Sequence, residues 1–194
     1  MDLKALKTTL RREVIRRILA LDADERQAQE SALAERFTEL PGVVEASTIL
    51  LYVSAFAEEF ATRPLLDQVL KLGKTLILPR VDRSSKTLHL YQVTNLTHDL
   101  EPGHRGIAEP SLNCPKVEPE TIDWVLVPGL AFSTKGYRLG RGAGHYDKLL
   151  PTLRPEASRW ALILEPQWLE NLPIEPHDQP VDGVADWRRS VRTN

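Results

Sequence analysis

Four short, nearly unbroken apolar runs constrain this chain more than any other feature: residues 48–53, 75–79, 123–127 and 160–164. Runs of this length with no polar alternation belong to strands covered on both faces. Strands buried in this way pair in parallel, and parallel pairing needs a crossover of a dozen or more residues, usually a helix. One such crossover is legible between the first two runs, where a helix from Arg63 to Leu72 ends at Gly73. The stretch Thr87–Val93 alternates more, as an edge or antiparallel strand does. With right-handed crossovers, the pattern predicts an α/β fold: a three-layer α/β/α sandwich with a mostly parallel central sheet.

Two helices precede the first strand. Leu6, Leu10, Val14, Ile15, Ile18 and Leu19 recur at helical spacing between Leu3 and Leu21, with Lys7, Arg11, Arg12 and Arg16 elsewhere on the cylinder. A second helix starts after Asp22 or Asp24 and runs through Ala32–Phe37 toward Pro41. Two long connections, 96–119 and 166–182, are rich in Pro, Glu, Asp and His; segments of this kind are more often functional or packed loops than idle linkers. At 194 residues, with no repeat or compositional break, the chain reads as a single domain, residues 1–194.

Hydrophobic residues make up 42% and charged residues 27%, which argues against disorder, and a formal net charge of −2 gives no general pull toward nucleic acid or an anionic membrane. No stretch reaches the roughly 20 apolar residues of a membrane span. Cys114 is alone, so it forms no intramolecular disulfide and reads as a structural thiol in a reducing compartment; a cytoplasmic location is the expectation.

Chemistry concentrates after the third apolar run. Between Pro128 and Asp147, glycines at 136, 140, 142 and 144 leave the backbone nearly free of Cβ atoms, so amide N–H groups can approach phosphate oxygens. A helix beginning near Tyr146 and containing Lys148, Leu149 and Leu150 is expected to point its positive end at the same anion. Arg138 and Arg141 can add planar, charge-assisted contacts. Two common nucleotide templates fail on spacing: His145 stands where a dinucleotide fingerprint needs its third Gly, and Gln68 where a P-loop ending in Gly73-Lys74-Thr75 needs its first.

The run from Pro128-Gly129 through Arg138-Leu139-Gly140-Arg141-Gly142-Ala143-Gly144-His145-Tyr146-Asp147 resembles the central signature of the 5-formyltetrahydrofolate cyclo-ligase family. Other elements agree in order: Lys7 and Leu10-Arg11, Glu59 and Thr62, Pro79-Arg80, Ile107 with Glu109-Pro110, His177-Asp178, and Val181-Asp182. Two positions depart from the pattern, His145 where an aromatic such as Tyr is common and Ser133 where an Asp is common. The resemblance implies a fold similar to the NagB/RpiA/CoA-transferase-like group, and a reaction in which 5-formyltetrahydrofolate and ATP, with Mg²⁺, give 5,10-methenyltetrahydrofolate, ADP and phosphate.

The residue roles are likewise implied by the resemblance. ATP would be held by Lys7, Arg11, Arg138, Leu139, Gly140, Arg141, Gly142, Ala143, Gly144, His145 and Tyr146. The folate would meet Val53, Glu59, Arg141, Gly142, Ala143, Gly144 and His145, with Glu59 accepting hydrogen bonds from the pterin edge. Arg141, His145 and Tyr146 would serve the chemistry, and Asp147 with Asp178 would hold Mg²⁺. Phe56 and Phe132 could flank the pterin or simply belong to the core. The implied partners are small-molecule substrates, with no nucleic acid and no membrane, and the implied state is a monomer. Two other classes share the loop: a sugar-phosphate isomerase or CoA transferase, the latter needing a nucleophile for which no Glu or Cys motif stands out, and a sensor of folate or nucleotide without turnover.

Overall fold

In the computed structural model, which describes residues 2–193 (Arg105 by its backbone alone), the amphipathic segments form α1 (Leu3–Leu19) and α2 (Ala23–Arg36). The expected domain of residues 1–194 thus has Met1 and Asn194 outside the described residues. Asp22, the earlier of the two expected caps, accepts from the backbone N–H groups of Asp24 and Glu25, satisfying donors that the first turn of α2 leaves unpaired. After β1 (Thr48–Leu50), α3 (Arg63–Lys71) carries Pro64 in its first turn and buries Leu65, Leu66 and Val69 on one side. Gly73 follows at φ +67°, the left-handed conformation that ends a helix without a Cβ clash.

The remaining strands are β2 (Thr75–Asp82), β3 (Thr87–Val93), β4 (Leu100–Pro102), β5 (Ala108–Pro110), β6 (Lys116–Val117), β7 (Trp124–Leu126), β8 (Ala131–Phe132), β9 (Arg138–Leu139), β10 (Ser158–Leu162), β11 (Gly183–Ala185) and β12 (Ser190–Arg192). The main sheet runs β12-β11-β10-β7-β1-β2-β3-β6. Its five middle strands, β11, β10, β7, β1 and β2, are parallel; β12 closes one side and β3 with β6 the other, all antiparallel.

Each apolar run splits between two faces, as the two-residue period of a strand requires. Ile49, Leu51, Leu76, Leu78, Trp124, Leu126, Trp160 and Leu162 pack with α2 and α3. Leu50, Ile77, Val125, Val127, Ala161, Ile163 and Val184 pack against the opposite layer. That second layer is thin: α4 (His145–Leu149), a 3₁₀ turn over Leu150–Thr152, and Ile122, Leu153 and Ala157. The fold is a mostly parallel α/β sheet with helices, as expected.

Several boundaries differ from the expectation. The first run is strand only over Thr48–Leu50, because the chain beyond Leu51 leaves the ladder to build a loop, and the last run is shifted to Ser158–Leu162. The segment 96–119 is a folded excursion carrying β4, β5 and β6, not one long loop. The helix after the glycines has five residues, too few for a sizeable macrodipole, so any anion there depends on loop amides and guanidinium groups.

Helix α1 belongs to neither face. Val14 and Ile18 pack on Ala131, Leu139 and Leu164, residues that follow the carboxyl ends of β7 and β10. The helix therefore lies across the crevice outside those strand ends, where open α/β sheets take their ligands.

Candidate functional site

A cleft of about 540 Å³ opens at this end of the sheet, lined by α1, the loop after β1, the end of β2, the glycine loop and the segment before β11. Every residue expected to bind a ligand or metal, from Lys7 to Asp178, lines it. The glycines divide: Gly140, Gly142 and Gly144 line the cleft, whereas Gly136 turns the β8–β9 hairpin at φ +79° with its Cα facing the Val181 carbonyl. Gly142 sits at φ +99°, a backbone conformation that side-chain-bearing residues rarely adopt, beside the Arg11 guanidinium. Arg11 Nε donates to the Gly140 carbonyl at 2.8 Å, so α1 clamps the glycine loop directly.

Lys7 is buried, contrary to the solvated face on which most helical lysines sit. Its Nζ donates to Asp178 Oδ2 at 2.6 Å and to Glu175 Oε2 at 2.8 Å. Burial works against both charges. For Asp178 the Lys7 hydrogen bond, the Glu175 N–H and the Lys7 charge outweigh it and hold the carboxyl below its ordinary value. For Lys7 the two carboxylates outweigh desolvation and raise its pKa. Ligand atoms of Glu175, His177 and Asp178 all lie within 4.8 Å of one another, a cluster among the described residues that does not include Asp147.

Asp147 is held from a different side. Arg138 Nη2 donates to its Oδ1 at 2.6 Å, and the Gln179 N–H reaches the same oxygen at 3.2 Å. Arg138 is itself buried, so its guanidinium is committed to Asp147 and only partly open to a phosphate. The carboxylates of Asp147 and Asp178 offer the hard oxygen donors that Mg²⁺ prefers, and both line the one cleft; His177 is a poorer match for that ion.

Across the cleft, the loop after β1 is tied down before any ligand arrives. Ser54 and Thr62 exchange hydrogen bonds, and Arg26 of α2 donates to the carbonyls of Ala57 and Glu59. Glu59 Oε2 accepts from the N–H groups of Ala55 and Phe56, while its Oε1 accepts from Arg141 Nε at 3.1 Å and Nη2 at 3.0 Å. Arg141 Nη1 donates to Glu58 at 2.8 Å, and its guanidinium stacks 4.0 Å from the Phe56 ring centroid. Arg141 thus joins the glycine loop to the Glu59 loop.

Tyr146 is buried, and its hydroxyl has no protein hydrogen-bond partner among the described residues although the side chain lines the cleft. Burial pushes its pKa well up, and that of Tyr52 likewise, with the Glu59 charge adding to both. Both phenols stay neutral donors across the working pH range. His145 and Val53 also line the cleft. Of the two phenylalanines, Phe56 lines it and Phe132 is core. Ser133 is buried and does not line the cleft. Lys74, of the Gly-Lys-Thr triplet, donates to the carbonyls of Val44 and Ala46 and serves the fold. The Cys114 thiol is raised by desolvation and by Asp99, which suits a structural role.

Glu58 and Glu175 are among the site residues that sequence reasoning passed over, as is Tyr52, read only as part of a strand. Glu58 differs from Glu59 only by position, and Glu175 was visible only as part of an acidic, proline-rich segment.

Residues 3–186 match the model of the 5-formyltetrahydrofolate cyclo-ligase family. The chain is 30% identical over 168 residues to the 5-formyltetrahydrofolate cyclo-ligase of Escherichia coli K12, covering 86% of this chain and 92% of that one. It is 29% identical over 178 residues to a probable 5-formyltetrahydrofolate cyclo-ligase of Schizosaccharomyces pombe, covering 85% and 87%. The solution structure of Aquifex aeolicus 5,10-methenyltetrahydrofolate synthetase superposes with a TM-score of 0.85 at 33% identity, over 97% of this chain and 93% of that one. The synthetase from Mycoplasma pneumoniae, at 20% identity, shares the fold with a TM-score of 0.75 over 97% of this chain and 100% of that one.

Proposed function

Because the chain belongs to the 5-formyltetrahydrofolate cyclo-ligase family, we propose that it converts 5-formyltetrahydrofolate to 5,10-methenyltetrahydrofolate at the expense of ATP, as a cytoplasmic enzyme of one domain acting as a monomer. The observation that carries this reading is the convergence, in one cleft, of the Lys7–Arg11 face of α1, the glycine loop and the Glu59 loop. One side suits phosphates and the other suits the donor-rich edge of a pterin, with Arg141 between them.

A formamide oxygen is a poor leaving group. Transfer of the γ-phosphoryl group to it, with departure of ADP, turns it into a phosphate ester. N10 of the folate then attacks the formyl carbon and loses its proton, and phosphate leaves as the ring closes. Little covalent work falls to the protein, which aligns the groups and disperses negative charge. The amides of 140–144 and the guanidinium groups of Arg11 and Arg141 are the donors available for that dispersal, while Glu59 fixes the pterin. The neutral Tyr146 hydroxyl, without a protein partner among the described residues, would donate to the transferring group. Asp147 and Asp178 would hold Mg²⁺, which when bound neutralises phosphate charge.

The test is direct. Purified protein mixed with 5-formyltetrahydrofolate, ATP and MgCl₂ is expected to produce the methenyltetrahydrofolate absorbance with one ADP per turnover. Product formation without ATP, or ATP binding with no product, would reject the ligase reading; the latter favours a sensor.

A further inference from the structure

We infer that Glu58 is the positioning residue that keeps Arg141 in the cleft once Glu59 is engaged by the substrate, an assignment that rests on the ligase reading and deepens it. An ionised carboxylate offers about four lone-pair sites. All four of Glu59's are filled: two by the Ala55 and Phe56 amides of its own turn, two by Arg141 Nε and Nη2. A pterin N–H can therefore reach Glu59 only by displacing a partner. The amides are fixed by the turn, which Arg26 and the Ser54–Thr62 exchange hold in place. Arg141, on the glycine loop, is the partner that yields.

Without a second anchor, a released guanidinium on a glycine-rich loop would sample many positions, and the donors aimed at the phosphoryl group would lose their alignment. Glu58 supplies that anchor. It is buried, at 9% exposure, and its one hydrogen bond among the described residues comes from Arg141 Nη1 at 2.8 Å. The Phe56 ring beneath the guanidinium preserves its plane during the exchange. Two carboxylates facing one guanidinium also leave one negative charge in excess, which the donor edge of the incoming pterin offsets. Glu59 thus serves the substrate and Glu58 serves the arginine.

The experiment compares wild type with Glu58→Gln, Glu58→Asp and Glu59→Gln, reading turnover, the Kd for 5-formyltetrahydrofolate without ATP, and the melting temperature. Glu58→Gln is expected to lower kcat on the order of 10- to 100-fold, with folate Kd within about twofold of wild type and Glu58→Asp recovering part of the loss. Glu59→Gln is expected to weaken folate binding instead. An active wild type whose kcat is unchanged in Glu58→Gln overturns the assignment alone. So does a Glu58→Gln variant that loses folate affinity and melting temperature together, the mark of a merely structural acid. An inactive wild type overturns the ligase reading and the assignment with it.

Discussion

Arg141 makes three charge-assisted hydrogen bonds and one stacking contact, a set that requires a flat, delocalised cation. With Glu59 given over to the pterin, a lysine ammonium cannot hold Glu58, lie flat on Phe56 and still aim a second donor at the phosphoryl group. Arg141→Lys is therefore expected to lose about 1.5–3 kcal/mol of transition-state stabilisation, roughly the worth of one hydrogen bond to a charged group, with little change in melting temperature because the side chain is partly exposed. Steady-state kinetics beside a thermal melt checks this; unchanged kcat/KM would remove the fork from the mechanism. The Lys7–Asp178 pair makes a different prediction. Asp178 titrates below its ordinary 3.8 in the folded protein, so its stabilising contribution is present above pH 3.8 and is lost as the pH falls through the lower folded value. Lys7, raised above 10.5, keeps its contribution below that value for as long as Asp178 stays ionised, and loses it as the pH rises through the higher folded value. Urea midpoints at pH 7 and pH 3 are expected to differ more in wild type than in Lys7→Gln, where Asp178 has lost its main stabilising partner.

Helix α1 matters because it carries phosphate-side groups on a hydrophobic seat. Lys7 and Arg11 are one helical turn apart on a helix anchored by Val14 and Ile18 against Ala131, Leu139 and Leu164. Emptying the seat disturbs groups more than a turn away. Ile18→Ala is expected to cost about 2–5 kcal/mol in stability, the usual range for a fully buried Ile, and also to raise the KM for ATP more than that for the folate. Denaturant unfolding and paired substrate titrations measure the two effects. Equal changes in both KM values would mean that α1 supports the whole cleft rather than its phosphate end. The five-residue α4 stands in contrast, since its Tyr146 and Leu149 pack into the core while its short length leaves anion binding to the preceding loop.

The parallel strands supply rigidity at one end and an open crevice at the other. Trp124 starts β7 at the closed end, fully buried, its indole N–H donating to the Pro41 carbonyl and its ring meeting Phe37 edge-on. Trp124→Ala is expected to destabilise by about 3–5 kcal/mol while turnover per folded molecule, assayed well below the melting temperature, stays near wild type. A matched loss of kcat would show that the two ends of the sheet are coupled. Much of this architecture was legible beforehand. The apolar runs marked the buried strands, the 3.6-residue pattern marked α1, an Asp cap and a terminal glycine marked α2 and α3, and the glycine and arginine spacing marked the loop, because periodicity, capping and backbone freedom are local properties of a chain. What escaped were contacts between distant segments: Lys7 with Asp178 across 171 residues, and Arg141 with Glu58 across 83. Periodicity and charge alone do not separate Glu58 from Glu59, or Lys7 from the other basic residues of α1; only the family resemblance singled out Glu59 and Lys7, and it named neither one's partner. Folding alone decided which charge met which, because burial makes an unpaired ion costly and only the closed tertiary structure determines where burial falls.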